Sequence, residues 1–232
     1  MSLVIAIDGP SGSGKSTLAK RLAGHYGLQY LDTGAMYRVA TVWCRDSGID
    51  LDDQEAVADA TRAMPLEMVT DPAGPRVLLD GADVTERLHT GEISTVVSKV
   101  AVNLAVRAEM KARQRAIIES ERTGGRSGGQ GIVAAGRDIT TVVAPDADVR
   151  ILLIADPTDR LARRAMERHG AADEKSIEAT RDEVIRRDTQ DSTVSEFMSA
   201  HEGVATLDNS RMVPDETFAA ARAIDEAAVG ER

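Results

Sequence analysis

The run GPSGSGKST, residues 9–17, follows the apolar stretch LVIAID at 3–8. Gly9, Gly14, Lys15 and Ser16 satisfy G-x-x-x-x-G-K-[ST], a loop that needs a buried strand before it and a helix after it. LVIAID is continuous in apolar residues and stopped by Gly-Pro, the pattern of a buried parallel strand. From Lys15 onward, Leu18, Leu22 and neighbouring alanines fall on one side of a helix that ends at Gly24 or Gly27. In such a loop, glycines let main-chain N–H groups turn inward around a β-phosphate, and the helix N-terminus adds partial positive charge. Lys15 can reach the β- and γ-phosphates, and Ser16 offers a hydroxyl to Mg²⁺. Gly9, Pro10, Ser11, Gly12, Ser13, Gly14, Lys15, Ser16 and Thr17 are therefore the expected ATP site, with Ser16 on the metal side.

A single parallel strand is not a sheet, so the rest of the chain must supply its neighbours. GIVAA (131–135), VRILLIA (149–155) and GVATLD (203–208) are of the same kind, with helical stretches between and after them. This alternation predicts an α/β fold with a doubly wound, mainly parallel core sheet. Asp156 before Pro157 reads as an N-cap followed by proline at the first helical position, in preference to a Walker-B carboxylate. Pro214, Asp215 and Glu216 open a last helix in the same way, running to about Val229. Between about 50 and 90 the character changes: LEMVTDPAGPRVLLDGADVT holds short extended runs joined by Pro/Gly turns, a small antiparallel insertion. RTGGRSGGQG (122–131) reads as a flexible loop without obvious chemistry.

The function classes narrow by exclusion. A formal charge of −10 argues against wholesale binding of nucleic acid or anionic membranes, so any polyanion must be met by a few placed arginines. One cysteine, Cys44, rules out an intramolecular disulfide and a cysteine metal site, and the four histidines lack ligand spacing. The N-terminus has no basic segment before its short apolar run, so a soluble cytoplasmic protein is expected. A monomer is expected too, since no long apolar face is left over. A guanine-nucleotide switch would need an Asn-Lys-x-Asp run, which is absent, and DPAG (71–74) lies in the insertion and not at the end of a core strand. What the chain has is arginine in loops and at element ends: Arg38, Arg107, Arg137, Arg163, Arg164, Arg186 and Arg187. Guanidinium forks suit phosphate oxygens, and this set fits a site handling two phosphorylated ligands.

AIDGPSGSGKST, LDTGAMYR (31–38), SKVAVNLAVR (98–107), GRDITTVVAPDA (136–147) and RRDTQDST (186–193) together resemble bacterial cytidylate kinase, the CMP/dCMP kinase of the nucleoside-monophosphate kinase group. The resemblance covers nearly the whole chain in order. It implies transfer of the γ-phosphoryl of ATP to CMP or dCMP with Mg²⁺, on a three-layer α/β P-loop core with a mainly parallel five-stranded sheet (1–34, 106–158 and 189–232) carrying an NMP-binding insertion (35–105) and a short helical lid (159–188). It implies that Thr33, Tyr37 and Arg38 line the monophosphate pocket, with Arg38 on the acceptor phosphate. It further assigns Ser98, Arg107 and Asp138 to the cytosine, Arg137 and Arg187 to phosphate, and Asp191 to the sugar hydroxyl. Arg160, Arg163 and Arg164 stand where lid arginines are expected, Arg160 towards ATP. Cytosine chemistry agrees: its exocyclic amine wants acceptors such as Ser98 and Asp138, and its N3 and O2 want a guanidinium.

Ser98 and Arg107 are nine residues apart, about 13.5 Å along a continuous helix and on opposite faces. Both can reach one base only if the helix breaks between them, and Asn103 is a fit N-cap for the break, in place of a proline the family usually has at the position of Ala105. Three further positions depart from the family pattern. Ala135 replaces a frequent acidic residue, leaving its role vacant or to Asp32 or Asp8. Thr140 replaces a common glycine, a change expected to alter a turn at most. Val194 stands where many relatives have a phosphate arginine, for which a lid arginine could substitute.

Overall fold

A computed structural model describes residues 2–230, apart from the side chains of Glu167, Asp182, Glu183, Arg187, Asp191 and Val229. Five strands form one parallel sheet: β1 (Leu3–Asp8), β2 (Gln29–Asp32), β6 (Gly131–Gly136), β7 (Val149–Ile154) and β8 (Ala205–Asp208), in the order β2-β6-β1-β7-β8. The expected LVIAID strand is central, pairing with β6 from Leu3↔Gly131 to Asp8↔Gly136 and with β7 on its other side. β2 carries only QYLD, too short and too polar at its ends to stand out as a strand; its pairing with β6 brings Asp32 opposite Ala135.

Strand alternation divides the core into two layers. Val4 and Ala6 face α2 (Thr33–Asp46) and α5 (Leu104–Thr123), while Ile5 and Ile7 face α1 (Lys15–Tyr26) and α8 (Pro214–Gly230). Ile5, Ile7, Leu22 and Ile151 are wholly buried, each contributing roughly 1.5–3 kcal/mol of transfer free energy. With few aromatics, the core is closed by branched aliphatics, alanine and methionine.

The region between α2 and β6 is built outside the sheet. α3 (Gln54–Ala63) leads into a small antiparallel sheet of β3 (Leu66–Val69), β4 (Arg76–Leu79) and β5 (Ala82–Asp83), with DPAG as the turn between β3 and β4. A 3₁₀ turn at Thr85–His89 then feeds α4 (Gly91–Ala101). The small sheet is tied back to the edge of the large one: Tyr30 N–H donates to Thr70 O at 2.7 Å, and Thr70 Oγ1 bonds Gln29 Oε1 at 2.8 Å. This contact occupies a main-chain donor of the exposed edge strand. The helix break falls between α4 and α5, where Asn103 Oδ1 accepts from Ala105 N at 3.0 Å and Val106 N at 3.2 Å.

After β7, Asp156 caps α6 (Pro157–His169) by accepting from Thr158 N at 2.8 Å, which accounts for its position without a metal. α6 and α7 (Glu174–Asp191) form an antiparallel pair over the sheet's carboxyl end, and Arg168 reaches His89 O across the cleft at 3.3 Å. The loop 122–131 differs from its expected flexibility. Glu121 is buried at the end of α5 and accepts from Arg126 N at 3.0 Å and Ser127 N at 2.8 Å. A helix glutamate whose carboxylate gathers the following amides cannot be told in sequence from a solvated one.

Asp225 on α8 is 1% exposed, and neither of its oxygens has a hydrogen-bond partner among the described residues. Burial pushes its carboxyl up to about 7, with Glu226 adding to the shift while Tyr26 and Arg222 oppose it. The folded state therefore holds a proton that the unfolded state releases near pH 4, so stability falls as pH rises from about 4 to about 7. Asp225→Asn is expected to stabilise the protein by on the order of 2 kcal/mol more at pH 8 than at pH 5, measured by urea unfolding at both pH values.

Candidate active site

The phosphate loop lies between β1 and α1, and its shape depends on close main-chain approaches. Gly12 has φ +76°, and a Cβ there would stand 2.5 Å from Arg160 O; at Gly9, φ +150°, it would stand 2.1 Å from Leu153 O. The loop is thus wedged between the end of β7 and the first turn of α6, and no side chain fits at either contact. Three of its carbonyl oxygens are taken by side-chain donors: Pro10 O by Lys15 Nζ at 2.7 Å, Ser11 O by Arg160 Nη1 at 3.0 Å, and Ser13 O by Asn209 Nδ2 at 3.0 Å. Pinning the carbonyls orients the peptide planes, and the first-turn amides of α1 have no intrahelical partner.

Asn209 was not legible as a site residue. It follows β8, is 4% exposed, and also accepts Arg163 Nη1 on its side-chain oxygen at 3.0 Å and Nη2 on its main-chain oxygen at 2.9 Å. Arg163 faces the back of the loop and does not line the cleft; Arg164, 7% exposed, does line it.

The cleft has a volume of about 240 Å³ and runs from the loop to the insertion. Ser11, Gly12, Gly14, Lys15, Ser16 and Thr17 form its loop end, and Thr33, Tyr37, Arg38, Arg107, Arg137 and Asp138 line the remainder with Arg164, His89 and Ser195. Gly9, Pro10, Ser13, Ser98, Arg160 and Arg163 are not on its wall. Ser98 is buried on α4 between wall residues Val97 and Ala101. Arg187 and Asp191 have side chains outside the described residues.

Arg38 is 4% exposed and held by Leu88 O at 2.9 Å and Ser94 Oγ at 2.8 Å, so α2 presents it from beneath the 3₁₀ turn. Thr33 Oγ1 donates to Ala135 O at 2.9 Å, fixing β2 to β6 at the mouth. Arg107 Nη2 and Asp138 Oδ2 pair at 2.5 Å, and Arg107 lies over the Tyr37 ring at 5.9 Å. Burial raises the Asp138 carboxyl, against the opposing pull of Arg107. Beside it, Asp8 at the end of β1 accepts Ile139 N at 2.9 Å, Thr140 N at 2.7 Å and Thr140 Oγ1 at 2.7 Å. Thr140 thus does more than alter a turn: its hydroxyl satisfies a carboxylate that is 1% exposed. Asp8 is committed to the turn at 139–143, and Asp32, across from Ala135 and on the cleft wall, caps α2 by accepting from Ala35 N at 3.1 Å.

A parallel sheet with this loop at its carboxyl edge, facing an arginine-lined cleft, defines a P-loop nucleotide-binding protein of the phosphotransferase type. The sequence profile of the family Cytidylate kinase matches residues 5–224. Cytidylate kinase of Rhodococcus opacus (strain B4) is 43% identical over 220 residues, 94% of this chain and 92% of that protein. That of Cutibacterium acnes is 42% identical over 93% of this chain and 92% of its own length, and that of Geobacillus kaustophilus 41% identical over 81% and 80%. The chain belongs to the cytidylate kinase family.

Asn209→Ala removes the closer donor to Ser13 O, leaving Arg163 Nη1 at 3.4 Å, and a partner of Arg163 itself. Loosening this buried carbonyl is expected to weaken ATP binding about tenfold with a smaller effect on the acceptor KM, read from nucleotide titrations.

Proposed function

We propose that this chain transfers the γ-phosphoryl group of ATP to CMP or dCMP, giving ADP and CDP or dCDP. The observation that carries the reading is one cleft joining the phosphate loop at one end to the Arg107–Asp138 pair at the other. The acceptor's own phosphate oxygen attacks the γ-phosphorus while the bond to the β-phosphate oxygen breaks, so no protein nucleophile is required. Catalysis then rests on alignment and charge. Lys15 swings from Pro10 O to the β- and γ-phosphates, Arg38 fixes the acceptor phosphate, and Arg137 and Arg164 meet the charge between them. Arg164 and Ser195, the residue after Val194, both line the cleft, which supports a lid arginine in the role that relatives give to an arginine at 194. Arg187 and Asp191 keep the phosphate and sugar roles that the family resemblance implies. The insertion 35–105 and the lid 159–188 cover the acceptor and donor ends.

Cytosine recognition follows from the pair that faces the acceptor end. With no base bound, Arg107 and Asp138 satisfy each other. A cytosine inserted there gives Asp138 an amine donor and Arg107 the ring acceptors, replacing one charge-assisted contact with several hydrogen bonds. Uracil reverses the pattern and sets O4 against the carboxylate. Ser98, one layer behind the wall, reaches the base only if the α4 side chains yield.

The residues also fit Mg²⁺. No described cluster holds three or more His, Cys, Asp or Glu, and a hydrated ion carried chiefly by nucleotide phosphates needs only one or two protein oxygens. Ser16 and Asp32 supply these on the cleft wall. Bound there, Mg²⁺ would neutralise charge on the β- and γ-phosphates. The working form is taken as a cytoplasmic monomer acting on small nucleotides and not on nucleic acid, in keeping with the net charge of −10.

The reading is tested by ADP release from Mg-ATP with CMP, dCMP, UMP, AMP and GMP supplied separately; turnover confined to CMP and dCMP is expected, and preference for a purine acceptor overturns it. Asp138→Asn should lower kcat/KM for CMP on the order of a hundredfold while leaving ATP binding unchanged. Asp32→Asn should raise the Mg²⁺ concentration for half-maximal rate about tenfold, with the CMP KM unaffected.

A further inference from the structure

Three segments remote in sequence meet at a carboxylate to which the phosphate assignments give no part. Asp188 on α7 accepts Arg137 Nη1 at 2.8 Å, Arg160 Nη1 at 2.5 Å and the Ser11 main-chain N–H at 3.1 Å. Its side chain is 12% exposed, between guanidinium groups of 14% and 9%. Burial opposes its ionisation, but Arg137, Arg160 and the Ser11 amide outweigh that and hold the carboxyl below the ordinary range. It is a fixed anion in the working pH range.

Each partner is itself held on a second side. Arg137, following β6, packs over the buried Phe197 ring at 4.2 Å. Arg160, on the first turn of α6, also donates to Ser11 O, so Ser11 is gripped at both its carbonyl and its amide. Two cations share one anion, which leaves positive charge for a phosphate and removes the repulsion that two neighbouring guanidiniums would otherwise exert. A neutral residue at 188 would leave the guanidiniums free to separate and α7 untied from the loop.

We infer that Asp188 is a positioning residue for phosphoryl transfer, which sets Arg137 and Arg160 against the phosphate loop and locks the α6–α7 pair onto it. The inference rests on the phosphate role of Arg137 given above. Its effect is on geometry in the transition state, where a displacement of about 1 Å costs on the order of a hundredfold in rate. Asp188 would then govern kcat and the exclusion of water, with nucleotide affinity little changed.

The test compares D188N, D188E and R137A with the unaltered enzyme, reading kcat and KM for CMP and ATP, ATP hydrolysis without acceptor, and melting temperature. D188N is expected to lose on the order of a hundredfold in kcat with KM values within about threefold, and to hydrolyse a larger share of ATP without acceptor; D188E should recover part of the rate. An unchanged kcat in D188N, or tighter ATP binding at full kcat, overturns the inference; the second result would make Asp188 an anion that phosphate displaces. Should D188N melt too low to assay, D188E decides: a kcat loss at constant KM supports positioning, and a full kcat overturns it. R137A at the unaltered rate would instead remove the phosphate role of Arg137, a failure separate from an impaired R137A beside an unimpaired D188N.

Discussion

The site depends on turning the peptide planes of one short loop so that its carbonyls at Pro10, Ser11 and Ser13 are held by protein donors. Glycine makes the turn sterically possible, as the approaches of Gly9 to Leu153 O and Gly12 to Arg160 O require. It does not make the turn stable, because a glycine-rich segment loses more conformational freedom on ordering than any other. Stability comes from side-chain donors, Lys15 at the loop's own junction with α1, Arg160 on α6 and Asn209 after β8, each bonding one loop carbonyl. The order of the sheet follows from the same need: β1 launches the loop, β7 abuts Gly9, and β8 delivers Asn209 from beyond β7.

The acceptor end is organised differently, by paired charges in place of main-chain groups. Arg107 and Asp138 arrive from α5 and from the turn after β6, and the helix break at Asn103 sets the direction of α5. Asp8 lies under that turn with three donors on its carboxylate, so a central strand of the core and the base-facing aspartate are joined through residues 138–140. The protein tolerates a nearly fully buried acid here because each bond to the charged form offsets part of the desolvation cost. At Asp225, whose oxygens have no such set of donors among the described residues, burial raises the carboxyl to about 7.

Arginine connects the two ends. Of the arginines that the loops and element ends supply, Arg38 is fixed from beneath the insertion, Arg137 and Arg160 share Asp188, Arg163 braces the loop from behind, and Arg164 reaches the cleft. An acidic protein can handle two polyanionic ligands because these cations are oriented by specific acceptors and not diluted over its surface.

The sequence by itself determined the parallel α/β frame, the phosphate loop, the capped start of α6, the antiparallel insertion and the break at Asn103. The first four are written in local periodicity, in glycine and proline placement or in a short motif whose geometry is carried by consecutive residues; the break follows from the base-facing roles that the family resemblance implies for Ser98 and Arg107, with Asn103 as its local cap. The short strand β2, the ordering of loop 122–131 by Glu121, the use of Thr140 by Asp8, and Asn209 and Asp188 were decided only by the tertiary structure. A buried carboxylate or amide is chemically the same residue as a solvated one, and what makes it a brace is the arrival of donors or acceptors from 131, 177 or 196 residues away in the chain. Local chemistry sets which conformations a segment can take; long-range packing decides which polar groups must find a partner.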